Sequence, residues 1–360
     1  MKKGLSQEEM KEIFDFGLAN MPKDSNPVKY IQLIYSEESD IIVEAFRNIL
    51  DSGIYISHEL FKRNKGNHRP EIKQNATIIF QMIMTKGISL LDLYDGMDYE
   101  NQLDSQIKLN GINDPFSMSL IVRNQLESYS NFNNIFLSSE RKEVVELLHN
   151  FWILCGLKRR QKFIHSKMEK DQLEKGQKEK IKIDNVLSLI ENSSIFKNLS
   201  ADNKKHIKKG LNKNNFQFQF DGSEFKLCSW EHLFNSASNT EHLKHLYAEM
   251  SLKSHPSYVS VFQFAQSTTI KDTHFQASFY LHMSRIIMAF LISDCVKYFP
   301  EAKEIYAELP ELNRALISSL NRNMRDKKWL VLDDDVAYGQ KTQLEVFEFI
   351  DNEINNLNNK

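Results

Sequence analysis

Apolar residues recur at helical spacing along most of this 360-residue sequence. One run consists of Val122, Leu126, Tyr129, Phe132 and Phe136. Because an α-helix has 3.6 residues per turn, steps of three and four place these side chains on one face. Asp114 and Pro115 precede the run, and a capping carboxylate followed by proline is a typical start of a helix. The periodicity therefore predicts a mainly α fold.

One short segment departs from this pattern. Phe216, Phe218 and Phe220 alternate with polar residues, and Asp221-Gly222 follows them. Alternation beside an Asp-Gly turn is typical of a β-hairpin. The chain has only 12 Gly and 7 Pro, too few for the frequent turns of an all-β protein. We predict an irregular multi-helix bundle with one small β-hairpin near residues 215–228.

The composition excludes several classes of protein. Hydrophobic residues make up 41% and charged residues 26% of the chain, as in ordinary globular proteins. A net charge of −2 gives no general reason to expect a nucleic acid or an acidic membrane as partner. The three cysteines, 155, 228 and 295, form no short-spaced pair and so predict neither a disulfide framework nor a zinc ribbon. The polar N-terminus lacks the apolar stretch of a signal peptide, and we expect a cytoplasmic protein.

The most hydrophobic segment, residues 275–299, has the length of a membrane span. His282, Arg285 and Asp294 interrupt it, and ionisable residues are rare in the centre of a bilayer. The segment is therefore predicted to be a buried helix, and no membrane partner is expected.

The charge is unevenly distributed. Residues 158–213 contain 16 Lys and Arg against 7 Asp and Glu, a local net charge of +9. Residues 167–182 have almost no large apolar side chain, which is typical of a solvated helical spacer or of a mobile linker. We predict an N-terminal helical domain over 1–165, a basic connector over 166–213 and a C-terminal helical domain with the hairpin over 214–360.

The basic region has two interpretations. Lysines and arginines bind RNA phosphates by releasing counterions, which makes RNA a possible partner of residues 158–213. A solvated lysine-rich helix gives the same charge without any partner, and we favour that interpretation.

Arg160 and His165 have the Arg-x4-His spacing and follow a long apolar helix. This pair resembles the motif of the small helical ribonucleases known as HEPN domains. The resemblance implies a histidine that activates the ribose hydroxyl and an arginine that stabilises the developing phosphorane charge, without a metal. Arg63 and His68 have the same spacing beside Gly66, and chance alone predicts a match of this kind in a chain of this composition.

Cofactor and metal motifs are missing from the sequence. It contains no glycine-rich phosphate loop and only one Glu-x-x-His, at Glu146 and His149. His242, His245 and Glu249 share one face of a predicted helix, where a metal is one interpretation and a solvated polar face is the favoured one. We predict no cofactor and no metal.

Two sets of polar residues have helical spacing. Arg123 and Glu127 are one turn apart, and Tyr247, Ser251 and His255 follow at steps of four before Pro256. We expect the latter three to lie on one helix that begins near Asn239. His255 is predicted to be mostly buried and hydrogen-bonded, with Arg123 or Glu127 within a few ångströms of this cluster.

These residues carry a resemblance that spans roughly positions 115–265. Its elements are Arg123-x3-Glu127-x-Tyr129, Trp152 before Arg159-Arg160, Trp230, and Tyr247-x3-Ser251-x3-His255-Pro256-Ser257. They resemble a group of uncharacterised helical bacterial proteins known as a domain of unknown function, from which the chain departs with Met at position 250 instead of Leu. The resemblance implies an α-helical fold in which the two polar sets converge, and it implies no activity. The converged residues have two interpretations, a small active or binding site and a buried structural network, of which we favour the network.

The functional prediction follows from these features. Frequent Lys, Asn and Ile codons are typical of an AT-rich bacterial genome. We predict a non-catalytic helical interaction or sensor protein, acting in a stress or phage response, with a protein partner or a second copy of itself. The alternative is a metal-independent ribonuclease that uses Arg160 and His165.

Overall fold

The computed structural model describes residues 26–36, 38–63, 69–238, 243, 245–267 and 270–325. Within these ranges it has fourteen helices and two antiparallel sheets of two strands each. The predicted mainly α fold is confirmed.

The helices of the described ranges follow one another along the chain with few intervening strands. They are α1 (Asn26–Tyr35), α2 (Ser39–Arg63), α3 (Glu71–Asp95), α4 (Pro115–Phe136), α5 (Lys142–Gln161), α6 (Lys170–Asn192), α7 (Ser194–Asn198), α8 (Ala201–Asn212), α9 (Trp230–Ser238), α10 (Leu246–Lys253), α11 (Tyr258–Gln266), α12 (Ile270–Tyr298), α13 (Pro300–Ala307) and α14 (Glu311–Met324). The strands are β1 (Met97–Glu100), β2 (Lys108–Ile112), β3 (Phe218–Phe220) and β4 (Phe225–Leu227).

The predicted hairpin is formed by β3 and β4, in which Phe220 lies opposite Phe225. Gly222 occupies the turn with φ of +103°, a conformation that suits glycine because it has no Cβ. Phe218 and Phe225 are fully buried, and both meet the ring of Phe151 edge to face. The alternation therefore arises because one face of the hairpin packs against α5.

A second hairpin, β1 with β2, was not predicted. Tyr99 lies opposite Leu109, and every residue of both strands is exposed. Gly96 has φ of +91° and lies against the backbone of Gly111, so that a Cβ at position 96 would come within 2.9 Å of the Gly111 carbonyl carbon. Met97 and Tyr99 alternate with Asp98 and Glu100, so the sequence does carry a short strand signal here, although neither face of the hairpin is buried.

The chain divides into two compact units. The first comprises 1–65, 83–122 and 250–360, and the second comprises 66–82 and 123–249. In the first, α12 is the central helix and packs against α2, α13 and α14. In the second, α5 packs against α6 and α8.

These units differ from the predicted domains 1–165, 166–213 and 214–360. The basic region lies entirely inside the second unit. Val186 and Ile190 of α6 are buried in one core cluster with Phe151 and Leu154 of α5. Most of the predicted connector therefore consists of the helices α6, α7 and α8. Helix α6 packs by its apolar face, and the lysines on its other side contribute the charge that suggested a connector.

The long apolar segment forms α12, and its prediction as a buried helix is confirmed. Two helices of the described chain, α3 and α12, are long and apolar enough to cross a membrane if length and composition alone are considered. The most apolar window of α12 is 89% buried within the protein, against 50% for that of α3. Packing inside the first unit thus accounts for the apolar character of α12.

Candidate functional site

Arg123, Glu127 and Tyr247 form a polar cluster in the second unit. Nε of Arg123 lies 3.2 Å from Oε1 of Glu127, one turn further along α4. The Tyr247 hydroxyl accepts a hydrogen bond from the Arg123 guanidinium at 3.1 Å and donates one to Glu127 at 3.2 Å. The guanidinium carbon also lies 5.2 Å from the centre of the Tyr247 ring, within the range of a cation–π contact. The sequence predicted that Arg123 or Glu127 would approach the cluster of Tyr247, Ser251 and His255, and both lie within hydrogen-bond distance of Tyr247.

The charges within this cluster support each other. Partial burial opposes the positive charge of Arg123, but its hydrogen bond with Tyr247 and the nearby Glu127 carboxylate outweigh that effect and raise the pKa of Arg123. The side chains of Arg123 and Glu127 are each about a quarter exposed. A pair of this kind orients helices and contributes modestly to stability, because solvent screens it.

The prediction that His255 is buried is wrong, because His255 is exposed. Helix α10 ends at Lys253, and residues 254–256 form a turn. Proline disfavours helical backbone in the residue before it, which explains why the helix stops short of His255. Ser251 lies on α10 and is half-buried. The helix was also expected to begin near Asn239, but α10 begins at Leu246, and residues 239–242 and 244 lie outside the described part of the chain.

The two residues of the ribonuclease motif lie at the end of α5 and beyond it. Arg160 is in the last turn of α5, where its guanidinium forms an ion pair with the Glu179 carboxylate of α6. His165 is exposed in the loop between these helices. Gln161 donates to the other oxygen of Glu179 at 3.2 Å. A phosphate that binds Arg160 would have to displace the Glu179 carboxylate. This carboxylate is held by two side chains, Arg160 and Gln161.

The second match to that motif and the proposed metal ligands are only partly described. His68 and His242 lie outside the described residues. Arg63 binds the carboxylates of Glu304 and Glu308 at 3.2 and 2.7 Å. Among the residues that the structure describes, no group of three His, Cys, Asp or Glu side chains is placed to hold a metal ion.

His149 is a buried histidine whose environment keeps it neutral. Its Nε2 lies 3.0 Å from the side-chain nitrogen of Asn75. Burial lowers the pKa of His149 to about 4, with smaller effects from Glu71 and Lys182. An amide that donates to Nε2 fits a neutral ring with its proton on Nδ1.

A cavity in the first unit was not predicted from the sequence. Its volume is about 680 Å³. It lies among the end of α1, the start of α2, the first half of α12 and the end of α14. Its lining is mainly apolar with a few polar groups: Ile34, Ser36, Ser39, Ile42, Phe275, Ser278, Phe279, His282, Leu320 and Met324.

The polar groups of the cavity are few, and two of them contact each other although they are far apart in the sequence. The hydroxyls of Ser39 and Ser278 are 3.1 Å apart, and Ser278 donates to the carbonyl of His274 at 2.9 Å. Burial, with a smaller effect from the charge of Arg285, lowers the pKa of His282 to about 4. At neutral pH the His282 ring is therefore uncharged and has one donor and one acceptor.

Arg285 is a buried residue of α12 that holds the end of α1, which forms one wall of the cavity. It is 1% exposed, and its guanidinium donates to the carbonyls of Leu33 and Ile34 at 3.0 and 3.3 Å. These carbonyls belong to the last turn of α1, where helix geometry leaves backbone acceptors without intrahelical partners. Within the described chain, Nε of Arg285 has no hydrogen-bond partner, and burial lowers the pKa of Arg285 to about 10. The end of α1, including Ile34, is thereby held against α12.

The sequence did contain one sign of this cavity. His282 and Arg285 are ionisable residues inside the most hydrophobic segment of the chain, which we interpreted as evidence against a membrane span, with His282 as a paired core histidine. Comparison of the chain with models of protein families, with curated proteins and with solved structures found no match. The chemistry of the site therefore has to be inferred from its own geometry, which combines a large apolar volume with a small group of neutral donors and acceptors.

Proposed function

We propose that this protein is a non-catalytic sensor that binds a small, mainly apolar molecule in the cavity among α1, α2, α12 and α14. The observation that carries this proposal is the cavity itself, with its volume of about 680 Å³ and its mainly apolar lining. Ligand sites in proteins typically have volumes of roughly 300–1,000 Å³, apolar walls and a small number of well-placed polar groups.

The lining defines the chemistry of the ligand. Ile42, Phe279 and Leu320 favour an apolar body. Ser39, Ser278 and His282 offer hydrogen bonds to one polar group, such as a hydroxyl, carbonyl or protonated carboxyl. A multiply charged ligand does not fit, because a buried charge without a partner is costly. Burial of about 300 Å² of apolar ligand surface corresponds to roughly 7 kcal/mol before the losses of association. A micromolar complex needs about 8 kcal/mol after those losses, so binding weaker than micromolar is expected.

The hydroxyl groups of the site support binding rather than catalysis. Ser39 and Ser278 contact each other, and Ser278 donates to a backbone carbonyl. A nucleophilic serine would instead need a general base that accepts its proton, and in the described part of the chain neither serine forms a hydrogen bond with His282. Because a sensor without its own activity acts through another molecule, a protein partner or a second copy of the chain is part of the proposal.

The ribonuclease alternative rests on Arg160 and His165. It requires the Arg160 guanidinium to leave the Glu179 carboxylate and bind phosphate. Cleavage of RNA in the presence of EDTA, lost in His165→Ala, would support it. Absence of cleavage, or cleavage that persists in His165→Ala, would contradict the ribonuclease alternative and favour the sensor proposal.

The cavity is tested by titration with the neutral fluorophore 1-aminoanthracene. We expect wild-type protein to bind it, and Ile42→Trp to weaken binding at least about tenfold because the new ring fills the cavity. Ile88→Trp is the matched control, since Ile88 lies on the exposed face of α3. Met324→Trp fills the cavity from α14 and serves as a second test if Ile42→Trp does not fold. Equal affinities in wild type and both cavity variants would show that the probe binds elsewhere and would refute the proposal.

A further inference from the structure

Helix α11 exposes nearly all of its apolar side chains. Tyr258 is 84%, Val261 56% and Phe264 66% exposed, whereas Ser260 is the one buried residue of the nine. The helix contains no charged residue. Apolar residues normally face the core of a surface helix, so α11 has the reverse of the usual arrangement.

The helix is nevertheless held firmly at both ends. The Ser257 hydroxyl caps its first turn by accepting from the backbone NH of Ser260 at 3.2 Å. At the other end, the Gln276 amide of α12 donates to the Ser267 hydroxyl at 2.9 Å. Phe264 also meets Phe116 edge to face, with 5.4 Å between ring centres. These contacts present the apolar surface of α11 in a defined orientation.

The exposed area exceeds what a monomer usually shows. Together with the neighbouring exposed side chains of Leu252 and Phe275, the helix presents apolar surface on the order of 700 Å² or more, against roughly 300–600 Å² for the largest patch of a typical monomer. A patch of this size marks an interaction surface.

This surface adjoins the mouth of the cavity. Phe275 is 75% exposed and lines the cavity. The same ring also borders a depression whose other walls include Gln263 and Gln266 of α11, together with Lys253 and Asp272, which carry opposite charges. The depression beside α11 and the cavity therefore share Phe275 as a lining residue.

We propose that α11 docks on the surface of a lipid bilayer, with Phe275 at the entrance through which an apolar ligand passes from the bilayer to the cavity. The entry of ligand rests on the proposed function, whereas the docking does not. Interfacial helices bury an apolar face about 5–10 Å deep at the boundary of headgroups and acyl chains. Aromatic side chains such as Tyr258 favour that boundary.

The chemistry of the helix points to lipid rather than to a charged partner. An apolar ligand partitions into bilayers, so a cavity that opens beside a bilayer-docked helix opens where its ligand is concentrated. Since α11 has no charge, docking needs no anionic lipid, and moderate salt does not weaken it. The sequence-based expectation of no membrane partner rested on the net charge and on the ionisable residues that interrupt the segment 275–299. The first bears on attraction to acidic lipid and the second on a membrane span, and neither bears on docking of an uncharged helix.

Flotation of the full-length protein with phosphatidylcholine vesicles tests the docking. The test variant is Tyr258→Ser/Phe262→Ser, which removes two exposed rings that stack on each other. The matched control is Tyr99→Ser/Leu103→Ser, which removes two exposed apolar side chains from the β1–β2 hairpin. Circular dichroism establishes that both variants are folded. A milder variant, Val261→Ser, replaces the test variant if it does not fold.

We expect the wild type and the control to float with the vesicles, the α11 variant to float at least about fivefold less, and flotation to persist at about 0.5 M NaCl. Absence of wild-type flotation, or equal flotation of the two variants, would overturn the docking proposal. So would a dimer in solution that the α11 variant dissociates, because α11 would then be a contact between copies. Binding of 1-aminoanthracene without vesicles is measured separately, so failure of the cavity is distinguished from failure of the docking.

Discussion

The hydroxyl of Tyr247 lies 3.2 Å from Oε1 of Glu127, although 120 residues separate the two in the sequence. Arg123 completes a triangle by donating to that hydroxyl and to the same carboxylate. The phenol thus accepts from a cation and donates to an anion. This arrangement orders the start of α10 against the middle of α4 within the second unit.

Removal of that hydroxyl gives the first prediction. Tyr247→Phe keeps the ring over the Arg123 guanidinium and loses both hydrogen bonds, and we expect the free energy of unfolding to fall by about 1 kcal/mol. The measurement is urea unfolding of the full chain. Tyr258→Phe is the control, because Tyr258 is exposed on α11 and the same change there is expected to stay within about 0.5 kcal/mol. Equal effects of the two substitutions would contradict a structural role of the triangle.

Elements whose side chains are buried with a regular period were predictable. Helix α4 was found because Val122, Leu126 and Tyr129 are all fully buried on one face. The β3–β4 hairpin was found because Phe218 and Phe225 are buried and the residues between are more exposed. The β1–β2 hairpin was missed because the alternation of Met97 and Tyr99 with acidic residues is only four residues long and no Asp-Gly turn follows it.

The sites were predictable only where a helix fixes the spacing. Arg123 and Glu127 belong to one helical turn, so their approach follows from their sequence spacing. The prediction that His255 is buried assumed that α10 extends as far as this residue. The helix instead ends before a local turn at residues 254–256. The cavity combines short segments from near both ends of the described chain, so its lining could not be predicted from spacing. Its sign in the sequence was the presence of ionisable residues, His282 and Arg285, inside an apolar segment.

The second prediction concerns the dependence of stability on pH. Burial lowers the pKa values of His149 and His282 to about 4 in the folded protein, whereas an unfolded histidine has a pKa of about 6.5. Between these values the unfolded chain binds more protons than the folded chain, so stability is fully present above pH 6.5 and is lost as the pH falls toward 4. From pH 7 to pH 5 we expect each histidine to account for a loss of about 1–2 kcal/mol.

His149→Gln tests this origin of the pH dependence. An uncharged amide that still accepts a hydrogen bond from Asn75 is expected to reduce the loss between pH 7 and pH 5, as measured by urea unfolding at both values. His255→Gln changes an exposed histidine and is expected to leave the loss as in the wild type. A wild-type protein equally stable at pH 7 and pH 5, or a similar response of both variants, would refute the assignment.

The third prediction compares two helical glycines. Gly156 is exposed on α5, and no atom lies within 4 Å of a Cβ built at that position. Gly156→Ala should therefore raise the free energy of unfolding by about 0.5–1 kcal/mol, because alanine has less backbone freedom to lose on folding.

Gly210 is buried on α8, where an added Cβ would come within 2.5 Å of Cζ of Phe218. The Phe218 ring is itself fixed by its contact with Phe151, so Gly210→Ala should destabilise by about 1–3 kcal/mol. Both variants are compared with the wild type by urea unfolding, and a gain in stability from Gly210→Ala would show that the β3–β4 hairpin is not packed against α8 as closely as the structure indicates.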